Sequence, residues 1–313
     1  MADIATRVAY GDALAALGSE DGRVVVLDAD LSGSTMTAKF ARKFPDRFFN
    51  FGIAEANMMG AAAGLAACGK VPFASTFAIF AAGRTYEQIR QSVAYAGFGV
   101  KIAATHAGLT VGADGASHQS IEDIALMRVI PGMTVICPCD ARETEAAVRA
   151  AAQIETPVYL RLGRHPVPMV TPPGYQFEPG RISTLRAGQH VCLAGTGIMV
   201  AACLEAAALL AKEGIEAEVL NVHTIKPLDA ETLVQSAARC GAVVTAEEHS
   251  VIGGLGGAVA ELLSEAYPVP VQRVGIRDRF GQSGTPGELL EEYCLTATHL
   301  AQAARSAVMA RDG

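Results

Sequence analysis

Tryptophan is absent from the chain, aromatic residues make up only 6% of its 313 positions, and charged residues only 18%. With half of the residues hydrophobic, this excludes an intrinsically disordered protein, which needs the opposite balance. No basic run stands out, and the net charge is −7. Neutralising phosphates takes clustered Lys and Arg, so no nucleic-acid partner is expected. Glycine or charge interrupts every apolar stretch before the ~18 residues of a membrane span, so no membrane partner is expected either. C-x-x-C is also missing. Cys137-Pro-Cys139 is the nearest approach among seven cysteines, most of them inside apolar runs, which reads as buried reduced thiols and no metal site. Met1-Ala-Asp-Ile4 has neither the basic region nor the apolar core of a secretory signal, and a cytoplasmic protein is expected.

What remains is rich in alanine and glycine, and it alternates strands with helices. Strand patterns lie at Val24–Asp28, Val100–Thr105, Gly132–Cys137 and Pro157–Arg161. Helical patterns lie at Ala54–Cys68, Tyr86–Ala94 and from Asp140 to Ile154, where Asp140 and Glu143 have capping-box spacing. Between Arg164 and Gly188 prolines and glycines break the pattern. Strands then recur near 190–193, 216–220, 242–246 and 269–274, with helices between them. The expected fold class is α/β, with two domains that each have a mostly parallel sheet flanked by helices. Residues 1–170 form the first domain, 171–187 a linker and 188–313 the second. Gly195-Thr-Gly197 lacks the third glycine of a dinucleotide fingerprint and reads as a tight turn.

Polar residues that a plain core would not carry gather between Asp28 and His118. Asp28 and Asp30 end a strand, where open α/β sheets bind ligands, and Ser34 follows. Glu55 sits in an apolar, small-residue segment and needs either a partner or a raised pKa; as an isolated residue it reads equally as a helix-start carboxylate. Phe77 and Phe80 lie three apart, a spacing usual for core residues. His106, Asp114 and His118 share a glycine-rich stretch that suits a loop meeting a hydroxylated substrate better than a metal.

Taken in order, Asp28-Ala-Asp-Leu…Ser34, Phe51-Gly-Ile-Ala-Glu55, Ser75-Thr-Phe77, His106…Asp114-Gly-Ala-Ser-His118-Gln and Cys137-Pro-Cys-Asp140 resemble the pyrimidine-binding domain of transketolase. Thr245-Ala-Glu-Glu-His249 and the glycine run after it resemble that family's C-terminal domain. The resemblance implies a thiamine-diphosphate-dependent transferase that moves a two-carbon ketol unit between a ketose phosphate and an aldose. It implies that Glu55 hydrogen-bonds the aminopyrimidine and favours the imino tautomer, which takes the thiazolium C2 proton. Phe77 and Phe80 would pack on that ring, with Asp30 near the thiazolium. His106 and His118 would contact sugar oxygens and help proton transfer, and Asp114 would recognise a hydroxyl. Ser34 and Arg164 would meet the sugar phosphate. Gly83 stands where many relatives carry a third aromatic.

The family's G-D-G motif, which with a later Asn anchors diphosphate and Mg²⁺, is absent. The chain therefore resembles the C-terminal half of a split transketolase. It is expected to need a separate subunit carrying G-D-G…N, which would hold the Mg²⁺, and to be inactive alone. A homodimer core, interfacing around Met58–Ala67, would complete an A2B2 assembly. The alternatives are the β subunit of a 2-oxoacid dehydrogenase and a non-catalytic partner subunit.

Overall fold

The computed structural model describes residues 3–312. Four buried β-rich runs, Val24–Asp28, Val71–Phe77, Lys101–Thr105 and Val158–Arg161, pair in parallel at the centre of a seven-stranded sheet. Phe48–Asn50 adds to one flank and Thr134–Ile136 to the other. Thr224–Lys226, from the second half of the chain, closes that second flank antiparallel. After Val24–Asp28 the chain builds one strand on one side, then returns to build Val71–Phe77 on the other. Such a reversal opens a crevice at the carboxyl ends of those two strands, the usual ligand position in an open α/β sheet.

The second sheet has five strands in the order Val271–Ile276, Val243–Ser250, Val191–Gly195, Ala217–Asn221 and Ser183–Arg186, of which only the last is antiparallel. Two mostly parallel α/β domains are thus present. Ser183–Arg186 lies inside the expected linker, so the second sheet begins before residue 188. Pro and Gly stop at Gly180, and the Ile182-Ser-Thr-Leu stretch behind them has enough β character to pair an edge.

Helix Thr6–Glu20 carries no clear sequence signal, because Gly11 and Gly18 interrupt its buried face. They are there for closeness: a Cβ on Gly18 would lie 2.4 Å from the Phe40 ring. The expected helix over Tyr86–Ala94 forms but winds wide over Ile89–Ala94, as does the preceding turn Phe80–Arg84. Wide turns of this kind often mark functional sites. Asp140 accepts the Glu143 amide at 2.9 Å, whereas the Glu143 carboxylate turns to the Cys139 amide, so only half of the reciprocal box exists. All seven cysteines are unpaired; five are buried and Cys68 and Cys294 are exposed. No helix among the described residues is long and apolar enough to cross a membrane.

One apolar core runs through both domains, joining Leu27, Met58 and Ile102 to Leu220, Ile225 and Leu255. A large apolar contact of this kind fixes the two domains relative to each other. A buried polar network crosses the same boundary. Arg161 pairs with Asp123 at 2.8 Å and donates to the carbonyls of Ser120 and Glu248.

Candidate active site

The strand ends present most of the residues singled out in the sequence. Buried Asp28 ends its strand and accepts bonds from the Leu31 amide and the Thr35 and Thr37 hydroxyls, at 2.6, 2.7 and 2.9 Å. Burial raises its pKa against these bonds. The resulting turn holds Asp30 with φ of +63° and presents Ser34. Asp30 itself is exposed and exchanges hydrogen bonds with Asn50, so it stands at the rim.

Glu55 opens the helix Glu55–Ala67 and is buried. It is not held by backbone donors. Its Oε1 accepts from Arg84 Nη1 at 2.9 Å, while Oε2 makes no bond among the described residues. The Arg84 guanidinium lies 4.2 Å from the centre of the Phe80 ring. Phe80 and Phe77 lie nearly parallel, 13° apart with centroids 5.8 Å apart, and the Phe77 ring stacks on His106 at 3.8 Å. His118 turns its ring edgewise to both phenylalanines, at 5.7 Å from Phe80 and 6.3 Å from Phe77. Glu55, Arg84, Phe80, Phe77, His106 and His118 therefore form one continuous cluster.

His106 holds φ of +58°, an uncommon conformation for a non-glycine residue that concentrates at functional sites. Burial, with Arg7, Arg164 and His118 nearby, pushes its pKa down to about 3, so the imidazole is neutral at physiological pH. Asp114 makes no hydrogen bond to either histidine among the described residues and is held by Arg164 instead. It pairs with Arg164 at 3.1 Å, and no group of three His, Cys, Asp or Glu among the described residues is arranged to hold a metal.

Arg164 opens onto a cleft of about 660 Å³ lined also by Arg7 and His165, with Asp3 its one lining carboxylate. Arg7 donates to the Ser34 carbonyl at 2.7 Å. Burial, and after it the facing Arg164, lower the pKa of Arg7. Arg7 gave no signal in the sequence because it is a lone arginine in a helix with no motif. Arg84 was equally silent, since a salt bridge across 29 positions leaves no local pattern.

The second domain supports this site directly. Glu248 accepts the Thr110 amide at 2.6 Å inside the loop that follows His106. Gln119 donates to the carbonyls of Leu109 and Gln282, at 3.1 and 2.9 Å, so the segment before Pro286 braces the loop from the other side. Thr245-Ala-Glu-Glu-His249 thus has a positioning role that its sequence did not reveal. Glu247 accepts the amides of Leu255 and Gly256, and His249 Nε2 accepts that of Ile124.

The transketolase pyrimidine-binding-domain model matches residues 2–169, and the transketolase C-terminal-domain model matches residues 180–300. The chain belongs to the transketolase family. It corresponds to the C-terminal half of a split transketolase. It is 48% identical, over 95% of its length and 92% of the relative's, to the 6-deoxy-6-sulfo-D-fructose transketolase subunit SqwH of Clostridium sp. strain MSTE9. It is 39% identical to an apulose-4-phosphate transketolase subunit of Phocaeicola vulgatus, over 93% of this chain and 94% of that one. A solved structure described as a split gene transketolase, inactive β4 tetramer, superposes with a TM-score of 0.91 at 57% identity and covers 99% of both chains. Against the transketolase of Leishmania mexicana the TM-score is 0.82 at 27% identity, and this chain covers 47% of that one.

The residues present fit a flat heteroaromatic cofactor. Two near-parallel phenylalanines offer an apolar face, and beside them Glu55 keeps one carboxylate oxygen unbonded. A Cβ at Gly83 would meet nothing within 4 Å, so there is open space where many relatives carry a third aromatic.

Proposed function

We propose that this chain is the pyrimidine-side subunit of a two-chain transketolase, transferring a two-carbon ketol unit between a ketose phosphate and an aldose. The cluster from Glu55 to His118, set beside an arginine-lined cleft, carries this reading. Thiamine diphosphate, when bound, supplies the carbanion chemistry that makes ketol transfer possible. In this chain Phe77 and Phe80 would pack on the aminopyrimidine, and the free oxygen of Glu55 would hydrogen-bond its ring nitrogen. Arg84, tied to the other oxygen, fixes the carboxylate's direction. Asp30 would lie at the cofactor's rim. Neutral His106, with His118, would exchange hydrogen bonds and protons with sugar oxygens, and Asp114 would recognise a hydroxyl. Arg7, Arg164 and His165, with Ser34, would receive the sugar phosphate through charge-assisted bonds.

Diphosphate and Mg²⁺ would be held by a separate subunit carrying G-D-G…N. The neighbour described as an inactive β4 tetramer supports self-association of such a half and its inactivity without a counterpart. For the homodimer core of an A2B2 assembly, the outward face of helix Glu55–Ala67 is the better candidate. Met58, Met59, Ala62 and Ala63, within the expected interface, are buried in the chain's own core. Ala56, Gly60 and Gly64 face outward beside Ile53, which is 78% exposed. The arginine-lined cleft favours a phosphorylated polyol over the small oxoacid of a 2-oxoacid dehydrogenase.

The test is reconstitution. The purified chain should show no ketol transfer and little calorimetric binding of thiamine diphosphate. Adding a G-D-G…N subunit with Mg²⁺ should produce both. Turnover by this chain without a partner, or decarboxylation of a 2-oxoacid in place of ketol transfer, would overturn the reading.

A further inference from the structure

We propose that Arg84 is a placeholder for the aminopyrimidine ring, occupying the ring's position in the isolated chain and yielding it when the ring arrives. The inference rests on the reading of the Glu55 cluster as an aminopyrimidine site. Arg84 ends the wide turn that Phe80 begins. Its guanidinium lies over the Phe80 ring, 4.2 Å from the centre, and donates to Glu55 Oε1 at 2.9 Å. A planar group with N–H donors thus already makes a ring-face contact and a carboxylate bond. Those are the two kinds of contact that the same reading gives to the aminopyrimidine.

The other ring faces leave little choice. His106 stacks on Phe77 at 3.8 Å between centroids and covers one of its faces. Phe77 and Phe80 are near-parallel with centroids 5.8 Å apart, whereas a third ring between them would need about 7 Å, twice a carbon–carbon contact. His118 meets both phenylalanines edge-on. The face left for a flat ligand is the one under the Arg84 guanidinium.

Arg84 is suited to leave. Its side chain is 54% exposed and, among the described residues, makes no ion pair or hydrogen bond except with Glu55. Gly83 beside it adds no side chain and has open space above it, which gives the guanidinium room to swing. Glu55 is buried, and a buried carboxylate without a partner is costly. Arg84 therefore keeps Glu55 partnered and aimed until the ring nitrogen takes over. In the isolated chain the ring must displace a guanidinium by itself. Diphosphate contacts from a partner subunit tip that exchange, which couples cofactor loading to assembly.

The probe is 4-amino-5-hydroxymethyl-2-methylpyrimidine, a neutral aminopyrimidine without thiazolium or phosphate, titrated into the full chain by ligand-observed NMR. Arg84→Met keeps an unbranched stem and removes the planar charge. It should bind the probe roughly three- to thirtyfold tighter than the parent, the worth of an exposed ion pair and a cation–π contact that no longer have to be broken. A residue that only supported the pocket would shift affinity the other way. Arg90→Met, which removes an exposed arginine bonded to Gln91, should leave affinity unchanged. In the parent chain the Arg84 Nε–H resonance, moved upfield by the Phe80 ring, should return toward its ordinary position as the probe saturates. Equal or weaker binding by Arg84→Met, or an Nε–H signal that stays in place while the parent binds, overturns the placeholder and leaves the functional reading standing. No binding to either chain, nor to the parent reconstituted with a G-D-G…N subunit, overturns both. Cooperative thermal melts establish that each variant is folded.

Discussion

Gly108→Ala should break the brace between the second domain and the loop that follows His106. Gly108 holds φ of +83° and ψ of −171°, a region essentially closed to residues with a Cβ, and forcing alanine into it costs about 1–3 kcal/mol. The added Cβ would also lie 2.2 to 2.5 Å from three carboxyl atoms of buried Glu248. Glu248 must then withdraw from the Thr110 amide, and orphaning that buried donor costs about 1–3 kcal/mol more. Glu248→Ala alone should cost only the second term. In the double variant the clash is gone, so Gly108→Ala should add only its backbone strain. The sum of the two single effects should therefore exceed the double by about 1–3 kcal/mol, a coupling of the size expected for residues in direct contact. Urea unfolding of the four chains at pH 7, compared by midpoint at constant m-value, measures it. Additivity within about 0.5 kcal/mol would refute the contact, and a Gly108→Ala chain as stable as the parent would refute both terms.

Three further outcomes follow from other contacts. Glu55→Gln, reconstituted with a G-D-G…N subunit, should lose about 10²–10⁴ in turnover; its half-exposed ion pair with Arg84 makes the stability loss under about 1 kcal/mol, read from thermal melts. Asp123→Ala should destabilise by about 3–5 kcal/mol in urea, because Arg161 is left as an uncompensated buried charge. Burial raises Glu248 to about 7, so its contribution is fully present below the unfolded carboxyl value and is lost as pH rises through about 7; Glu248→Gln should match the parent more closely at pH 5 and gain on it by pH 8, whereas a pH-independent difference would contradict the buried proton.

The sequence by itself determined the two-domain α/β class, most of the parallel strands though not Phe48–Asn50 or the central Val71–Phe77, and the family, because these depend on local runs and on motifs a few residues long. Val24–Asp28, Lys101–Thr105 and Val158–Arg161 are apolar enough to be buried strands wherever they lie, and Phe77, Phe80, Glu55, His106 and His118 stand in recognisable spacings. Ser183–Arg186 was lost in a proline-rich stretch, because an edge strand exists only where a neighbour offers hydrogen bonds. Tertiary structure alone decided what those residues touch. It gave Glu55 to Arg84 instead of to its own helix, and it paired Asp114 with Arg164. It also set Arg7 across from Arg164, and it drove Glu248 from the second domain into the loop of the first. A charge's partner is chosen by distance after folding, and contacts spanning 29, 50 or 138 positions leave no trace in any local pattern.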